Sequence, residues 1–216
     1  MPKNVTEGKR RSITDIERKW ILHTAETHYA GLWVKMMLYC GLRPGELIAL
    51  LWSDIDFKKK RVRISKAKES GSDNIKAPKT DAGNREVPIP DVLINDLLKA
   101  KGKPFDNVFT QVTTGKQHTE TSFYNSWKSF IRAMDIAMGA KVYRNQIVMS
   151  LVSPDLVSYC LRHTYCTDLE AAGVQINVAR RLMGHEDIRV TSGIYTHGTE
   201  EAIEDAAAKQ NARLAV

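Results

Sequence analysis

The sequence predicts a mainly helical domain with a small antiparallel β-sheet, an α+β fold. Apolar residues recur at helical spacing along much of the chain, beginning with residues 16–25. Between residues 54 and 90 the pattern changes to two short alternating runs, RVRIS and REVPI, with a polar, turn-rich segment between them. With 216 residues, the chain is long enough to bury a substantial core in one such domain.

Local end signals predict where the first three helices begin. Thr14 and Glu17 form a capping-box pair at the start of the first helix. A second apolar stretch runs from Gly31 to Cys40 and stops at a glycine. Pro44 fits the first turn of a third helix, PGELIALLW.

Helical spacing returns after the sheet. The segment KVYRNQIVMSLV, from residue 141, fits a short strand pair. Serine and proline at positions 153 and 154 predict the start of a long helix that a glycine ends. The helices predicted in this half are Asp91–Ala100, Thr121–Met138, Ser153–Ala172, Asn177–Met183, Arg189–Thr196 and Glu200–Arg213. The core-type side chains of the second of these are Phe123, Trp127, Phe130, Ile131 and Met134.

The charge balance is basic. The chain has 32 Lys and Arg against 25 Asp and Glu, a net charge of +7. The cations are concentrated in KKKRVRISKAK, a run without a carboxylate that includes Lys58, Lys59, Lys60, Arg61 and Arg63. Such a run is either a solvated hairpin or a contact to a polyanion, and we favour contact with DNA.

Other features of composition narrow the class of protein. No apolar run is long enough to span a bilayer, so we expect no membrane partner. The polar start, MPKNVTEGKRRS, does not resemble a signal peptide. The cysteines, Cys40, Cys160 and Cys166, are odd in number and form no close CxxC pair. This favours reduced thiols and a cytoplasmic location.

Arg43 is the first candidate site residue. A residue before proline is driven out of the helical region, so Arg43 is predicted at the edge of the helix that Pro44 begins. Its guanidinium would stand beside a helix N-terminus, where backbone N–H groups also favour an anion. Glu46 could hold that guanidinium in place. A plain surface ion pair between Arg43 and Glu46 is an equally good interpretation.

A second candidate group lies in YCLRHTYCTDL. Tyr159 and Arg162 are three residues apart and share a helix face, where both can donate to one phosphate. His163 points elsewhere and is interpreted as a structural histidine. The buried stripe of this helix is predicted to contain Val157, Leu161 and Leu169.

The last segment is LMGHEDIRVTSGIYTH. Gly184 ends a helix, His185 follows it, and Tyr195 comes ten residues later. No one of these signals is specific.

Together and in this order, GLRPGEL, LRHTYCT, LMGHEDI and IYTH resemble the tyrosine recombinase (phage integrase) family, notably the integrases of phages and conjugative transposons. The resemblance covers about residues 12–197, and its most specific part runs from Arg162 to Tyr195. It implies the tyrosine recombinase catalytic-domain fold over residues 13–198. A basic segment at 1–12 precedes this domain and a helix at 199–216 follows it.

The resemblance also implies roles for individual residues. Tyr195 would attack the scissile phosphate and become joined to the DNA 3′ end, leaving a free 5′ hydroxyl. Arg43 and Arg162 would bind the non-bridging oxygens, where fixed cations stabilise the charge that develops. Tyr195 would be ionised more readily beside these cations than at its ordinary pKa of about 10.

Three further roles follow from the same resemblance. Lys79, in PKTDAGNR, matches the lysine that protonates the 5′ leaving oxygen, although Lys76 is close enough in sequence to be the alternative. His185 would donate to the phosphate, and Glu46 matches an acid that supports the first arginine. No cofactor or metal is expected, since no carboxylate cluster suggests Mg²⁺ and the covalent link stores the energy for rejoining.

Two departures from the family pattern matter. Tyr159 stands where the family usually has histidine, and a phenol is a much weaker base near neutral pH. We expect activity to survive, with the Tyr195 proton leaving by another route. Family members usually also carry an N-terminal helical domain that completes a clamp around DNA, so we expect weaker binding from this chain alone.

The resemblance implies double-stranded DNA as the partner and a tetramer of this chain on paired DNA sites. Accessory DNA-bending proteins are possible further partners. The helix at 199–216 would dock on a neighbouring subunit, or equally well on its own domain.

Three other functions compete with this one. A DNA-binding protein of the same fold without activity is favoured by Tyr159 alone. A type IB topoisomerase uses similar chemistry, but the spacing in HEDIRVTSGIYTH argues against it. A zinc enzyme using His163, His185 and Cys166 would need a ligand spacing that matches no known pattern.

Overall fold

The computed structural model describes residues 11–72, 74–77, 83–185 and 191–192, which form seven α-helices and three small antiparallel sheets. The helices are α1 (Asp15–Ala25), α2 (Gly31–Cys40), α3 (Pro44–Ala49), α4 (Asp91–Ala100), α5 (Glu120–Met138), α6 (Ser158–Ala171) and α7 (Ile176–Met183). The strands are β1 (Ile55–Asp56), β2 (Arg61–Ile64), β3 (Ala67–Lys68), β4 (Ile75–Lys76), β5 (Arg85–Pro88), β6 (Lys141–Tyr143) and β7 (Gln146–Met149). The predicted α+β class is confirmed.

Helix α2 lies at the centre of the core. Its side chains are apolar on nearly every face, and such a helix must be covered on all sides. It packs against α1, α4 and α6. The ring of Trp33 lies 4.4 Å from that of Phe123 and 6.0 Å from that of Trp127, between ring centroids. This packing fixes the end of α2, from which the chain continues directly to Arg43.

The largest sheet has the strand order β1–β2–β5 and is antiparallel throughout. Successive side chains along each of its strands point to opposite faces of the sheet. Val62 and Ile64 face the core, and Arg61 and Arg63 face outward. On β5 the register places Arg85 beside Ile64 on the core face. The strand pair predicted from RVRIS and REVPI is therefore confirmed, and it carries one arginine into the interior.

The predicted helix starts agree with the structure for α1, α2, α3 and α4. The Thr14 hydroxyl accepts the N–H of Glu17, and the Glu17 carboxylate accepts the N–H of Thr14, which completes the predicted capping box. Helix α3 ends at Ala49, earlier than predicted. A short 3₁₀ turn at Trp52–Asp54 follows it.

The start of α6 was predicted wrongly. It begins at Ser158 and not at Ser153, because the intervening residues form a turn with its own partners. The carboxylate of Asp155 accepts two hydrogen bonds from the guanidinium of Arg11, 144 residues away. A contact so distant in sequence has no local signal.

The buried stripe of α6 was only partly predicted. Leu161 is fully buried and Leu169 packs against the core, as expected. Val157 is 46% exposed, because it is the extended residue that precedes the helix and not part of its inner face.

The predicted strand pair after α5 is confirmed as the hairpin β6–β7. Its turn residues, Arg144 and Asn145, both have positive φ, 45° and 62°. Residues 1–10 and 193–216 lie outside the described residues, so the N-terminal segment, most of the helix predicted at Arg189–Thr196 and the helix at 199–216 stay predictions.

Two glycines allow close approaches that the site depends on. Gly41 has φ +63°, and a Cβ there would lie 2.2 Å from Cδ1 of Tyr165. A Cβ on Gly45 would lie 2.6 Å from the carbonyl oxygen of Lys68, so α3 could not pack on β3. The two glycines on either side of Arg43 are therefore required because a larger residue would clash with its neighbours.

We predict that Gly41→Ala destabilises the fold more than Gly115→Ala does. Both positions have positive φ, 63° and 65°, so both substitutions cost roughly 1 kcal/mol of backbone strain. Nothing lies within 4 Å of a Cβ on Gly115, whereas Gly41→Ala also meets the Tyr165 ring. That clash should add about 1–3 kcal/mol. Urea denaturation measures the loss of unfolding free energy in each variant. Equal losses in the two variants would contradict this prediction.

Candidate active site

Arg43 lies at the edge of α3, where Pro44 was predicted to place it. It is the extended residue before the helix, with φ −78° and ψ 153°. Glu46 Oε2 accepts its backbone N–H at 2.7 Å, and Glu46 Oε1 accepts its Nη1 at 2.8 Å. The contact between Glu46 and this guanidinium, which both interpretations of the sequence include, is present. The Arg43 side chain remains 34% exposed.

Arg162 lies on α6 and is almost completely buried. Its Nη1 donates to the carbonyl of Gly41, and its Nη2 donates to the carbonyl of Met183. Burial lowers the pKa of Arg162 to about 9, and the neighbouring charge of Arg43 acts in the same direction. The guanidinium therefore stays charged at neutral pH.

His185 stands directly beyond the end of α7. Gly184 ends that helix in the left-handed conformation, with φ 63°. The His185 Nε2 lies 3.3 Å from Nη2 of Arg162, and its Nδ1 lies 3.0 Å from Oγ1 of Thr191. Since a guanidinium can only donate, this network assigns Nε2 as the acceptor and places the ring proton on Nδ1.

The charge state of His185 follows from its neighbours. Burial, together with the positive charges of Arg162, Arg43 and Arg85, lowers its pKa to about 4. The imidazole is therefore neutral at neutral pH. Donation from its Nε2 to a phosphate, the role that the resemblance implies, requires the other tautomer and stays a prediction.

Three arginines converge on the C-terminal end of α7. The carbonyls of residues 182–184 accept hydrogen bonds in turn from Arg85 Nε at 2.7 Å, from Arg162 Nη2, and from Arg43 Nη2 at 2.9 Å. A helix C-terminus carries partial negative charge on such carbonyls, so cations are favoured there. The arrangement joins α3, β5 and α6 at one point.

Arg85 was missed by the sequence analysis. It forms a two-point ion pair with Glu46, with distances of 2.8 Å from Nη1 to Oε1 and 2.9 Å from Nη2 to Oε2. The two side chains are 1% and 5% exposed. A signal was present in REVPI, because the alternation puts Arg85 on the same strand face as buried Val87. An arginine on a core face is rare unless it is paired.

Glu46 is the carboxylate that links these arginines. Burial alone would raise its pKa, but the hydrogen bonds and charge of Arg85, together with the charges of Arg162 and Arg43, outweigh burial and lower the pKa to about 2. The group is therefore ionised throughout the physiological range. The stability that this lowered pKa provides is fully present above about pH 4.5 and is lost as the pH falls toward 2.

The other two candidates on α6, Tyr159 and His163, lie in different surroundings. Tyr159 is part-buried and lies one helical turn before Arg162, so the two occupy the shared face that was predicted. Nδ1 of His163 lies 3.2 Å from Oγ of Ser12, which confirms it as a histidine bonded within the domain.

Two predicted residues, Tyr195 and Lys79, lie outside the described residues, and their roles stay predictions. Lys76, the alternative to Lys79, lies on β4. Its Nζ is 2.6 Å from Oε2 of Glu69.

The basic run lies on the outer side of the largest sheet and its turn. Ion pairs join Lys60 to Asp91 at 2.6 Å, Arg61 to Glu86 at 3.0 Å, Arg63 to Asp54 at 3.6 Å and Lys66 to Asp54 at 3.0 Å. The backbone N–H groups of Lys58 and Lys59 are bonded to Asp56. This face is opposite to the one that carries Arg85, and DNA contact here stays a prediction.

In the part of the chain that the structure describes, no three His, Cys, Asp or Glu side chains lie close enough together to hold a metal ion. Cys166 is buried as a free thiol. Within the described ranges no helix has the length and apolar character needed to cross a membrane.

Residues 11–202 match the phage integrase family. The chain is similar to the XerC-like tyrosine recombinase of Caldanaerobacter subterraneus subsp. tengcongensis, with 28% identity over 207 residues, 91% of this chain and 52% of the relative. It is also similar to the transposase of transposon Tn916 from Enterococcus faecalis, with 28% identity over 180 residues, 77% of this chain and 42% of the relative. The chain thus spans about half the length of these relatives.

Solved structures share the fold. The Tn1549 transposon integrase in complex with transposon right end DNA has a TM-score of 0.72 and 21% identity, covering 100% of this chain and 69% of that one. The catalytic domain of bacteriophage HP1 integrase has a TM-score of 0.55 and 19% identity, covering 92% and 94%. The predicted catalytic-domain fold is confirmed by these likenesses.

We predict that His185 titrates with a pKa of about 4. Its Cε1–H resonance, assigned by its loss in His185→Gln, should move only well below the ordinary midpoint of about 6.5. The unfolded chain then takes up a proton that the folded chain does not, so the free energy of unfolding decreases as pH falls from about 6.5 to about 4.

His185→Gln should flatten this dependence of stability on pH, whereas His23→Gln, at an exposed position of α1, serves as the control. An NMR midpoint near 6.5 for His185 would contradict the prediction.

Proposed function

This chain belongs to the phage integrase family, and we propose that it is a site-specific DNA recombinase that cleaves and rejoins DNA through a covalent 3′-phosphotyrosyl link. The observation that carries the proposal is the convergence of Arg43 and Arg162 beside His185 at the end of α7. Two fixed cations and an imidazole in one place suit a phosphodiester.

In the proposed cleavage step, Tyr195 loses its phenol proton to water, and its oxygen attacks the phosphorus as the bond from phosphorus to the 5′ oxygen breaks. Lys79 gives a proton to the leaving 5′ oxygen, which departs as a hydroxyl. Arg43 and Arg162 bind the non-bridging oxygens, whose negative charge increases in the transition state. The phosphate remains on Tyr195 as a diester.

Rejoining is the same step in reverse. A 5′ hydroxyl attacks the phosphotyrosyl diester, the bond to the Tyr195 oxygen breaks and the tyrosine is regenerated. Because one phosphodiester is exchanged for another at every stage, the reaction needs no ATP. The arginines supply the charge neutralisation, so we propose that it needs no metal ion either.

The partner in this proposal is double-stranded DNA, bound by a tetramer of this chain on paired sites, with accessory DNA-bending proteins where the site requires them. Similar proteins have been solved with DNA, including the Tn1549 integrase and XerH site-specific recombinase bound to difH substrate. The similarity to transposon transposases supports a mobile element as the source of the DNA ends. We place the reaction in the cytoplasm, with which the three free, buried cysteines are consistent.

A DNA-binding protein of the same fold without cleavage activity is the second candidate. Tyr159 supports it, because the usual imidazole is replaced by a phenol at this position. The described geometry of Arg43, Glu46 and Arg162 favours the active enzyme, since an inactive protein would not need a charged cluster of this kind to stay folded.

We predict that the chain forms an SDS-resistant covalent complex with DNA in EDTA, and that Tyr195→Phe does not. The substrate is a nicked duplex that carries the end of the mobile element, so that the cleaved fragment diffuses away and traps the link. Loss of the phenol oxygen removes the nucleophile, and the control should lose the band completely while DNA binding is retained. DNA binding without a band would overturn the enzyme and support the second candidate.

We predict that Tyr159→Phe lowers the rate constant of covalent-complex formation roughly tenfold, the usual effect of one lost hydrogen bond to a charged group. Tyr159→His should preserve the rate and make it depend on pH near 6.5, where imidazole titrates. Tyr124→Phe, at an exposed position on α5, is the matched control. Equal rates for all three variants would contradict a phosphate contact by Tyr159.

A further inference from the structure

We infer that Arg85 is a positioning residue, which occupies the Glu46 carboxylate so that Arg43 remains available for phosphate, and which fixes the end of α7 beside His185. This inference rests on the proposed function and deepens it. It assigns a role to a residue that touches no DNA.

Arg43 and Arg85 compete for one carboxylate. Arg85 binds both oxygens of Glu46, through Nη1 and Nη2. The guanidinium of Arg43 binds only Oε1, which it shares with Arg85, and its Nη2 turns to the carbonyl of Gly184. The two-point pair is the stronger arrangement for an arginine and a carboxylate. Arg85 therefore holds the position that Arg43 would otherwise take.

Exposure separates the roles of the two arginines. The Arg85 side chain is 1% exposed, and that of Arg43 is 34% exposed. The donors of Arg85 are already directed to both oxygens of Glu46 and to the carbonyl of Leu182, whereas Arg43 presents part of its side chain at the surface. Of the two arginines on Glu46, Arg43 is the one that can bind phosphate.

Removal of Arg85 would leave a buried carboxylate without its main partner. An unpaired buried charge is costly, and the cheapest replacement is the nearest cation. Arg43 already bonds Oε1 at 2.8 Å, so a small rotation lets it bind both oxygens of Glu46. Its Nη2 would then leave the carbonyl of Gly184, and its donors would be directed inward, away from a phosphate.

Arg85 also joins the sheet to α7. Its Nε donates to the carbonyl of Leu182 at 2.7 Å, and β5 packs against α7. Met183, the next residue, is bonded to Arg162, and His185 follows two residues later. Arg85 thus fixes the segment that brings Arg162 and His185 together.

The test compares single-turnover cleavage by four variants of the full chain: Arg85→Gln, Arg85→Lys, Glu46→Gln and the double variant of Arg85→Gln with Glu46→Gln. The enzyme is in excess over the nicked DNA substrate and saturates it. The rate constant of covalent-complex formation then reports the geometry of the folded site, and the amplitude reports how much of the DNA can be cleaved. Thermal melting and DNA affinity are measured beside it.

Arg11→Gln is the matched control. Arg11 forms a comparable two-point pair with Glu17, with both distances 2.7 Å, at a position away from the α7 end. This substitution should lower the melting temperature and leave the rate constant unchanged. It therefore shows what loss of a structural arginine–glutamate pair does by itself.

We expect Arg85→Gln to lower the rate constant about 100-fold, as loss of an aligned oxyanion donor does, with DNA affinity changed only a few-fold. The rate constant of Arg85→Lys should lie between those of the parent and Arg85→Gln, because lysine restores the positive charge but cannot form a two-point pair with the carboxylate. The double variant should be roughly tenfold faster than Arg85→Gln, since no carboxylate then captures Arg43.

A rate constant for Arg85→Gln within about threefold of the parent would overturn the inference, because loss of one aligned donor is worth far more than that. A double variant that is slower than Arg85→Gln would overturn it as well.

A crystal structure of Arg85→Gln separates failure of this inference from failure of the proposed function. We expect both terminal nitrogens of Arg43 on the Glu46 carboxylate. If Arg43 stays on the carbonyl of Gly184, the inference is wrong whatever the activity. If the parent forms no covalent complex but Arg43 moves as expected, the proposed function fails and the competition for Glu46 stands.

Discussion

The carboxylate of Glu46 lies buried between two arginines that come from different elements of the fold, and much of the molecule is arranged around it. Arg43 approaches it from the edge of α3 and Arg85 from the core face of β5. The same two arginines, with Arg162 from α6, bind the last carbonyls of α7. A helix, a strand and a second helix are thereby tied to α7. A buried ion pair contributes little stability over an apolar alternative, so its value here is in fixing geometry.

Among the described residues, the cluster contains more positive charge than it neutralises internally. Three guanidinium groups share one carboxylate, and the nearby imidazole of His185 is kept neutral by burial and by those same charges. The carbonyls at the end of α7 offset part of the excess through their partial negative charge. In the proposed function, a phosphodiester supplies the anion that the described part of this cluster lacks. Because the arginines already have fixed partners, little reorganisation is needed when that anion arrives, which is the condition for effective electrostatic stabilisation.

The sequence predicted those features that depend on a few neighbouring residues. Pro44 placed Arg43, and the pair Thr14 and Glu17 placed the start of α1, because proline sterics and capping are local. The start of α6 was missed because Asp155 is bonded by Arg11 from the far end of the chain. Arg85 was missed because strand alternation shows that a side chain is buried but not what it pairs with. The tautomer of His185 likewise depends on Arg162, which only the fold brings near.

The contacts at the end of α7 are made to main-chain oxygens and not to side chains. A carbonyl is present whatever residue occupies the position, so Leu182 can be replaced without loss of the acceptor for Arg85. Gly184 is the exception, because its left-handed conformation disfavours other residues. The outward side chains of α7 can therefore be substituted without removing the acceptors that the cluster uses. An arginine cluster anchored to main-chain oxygens thus tolerates sequence change in the helix that holds it.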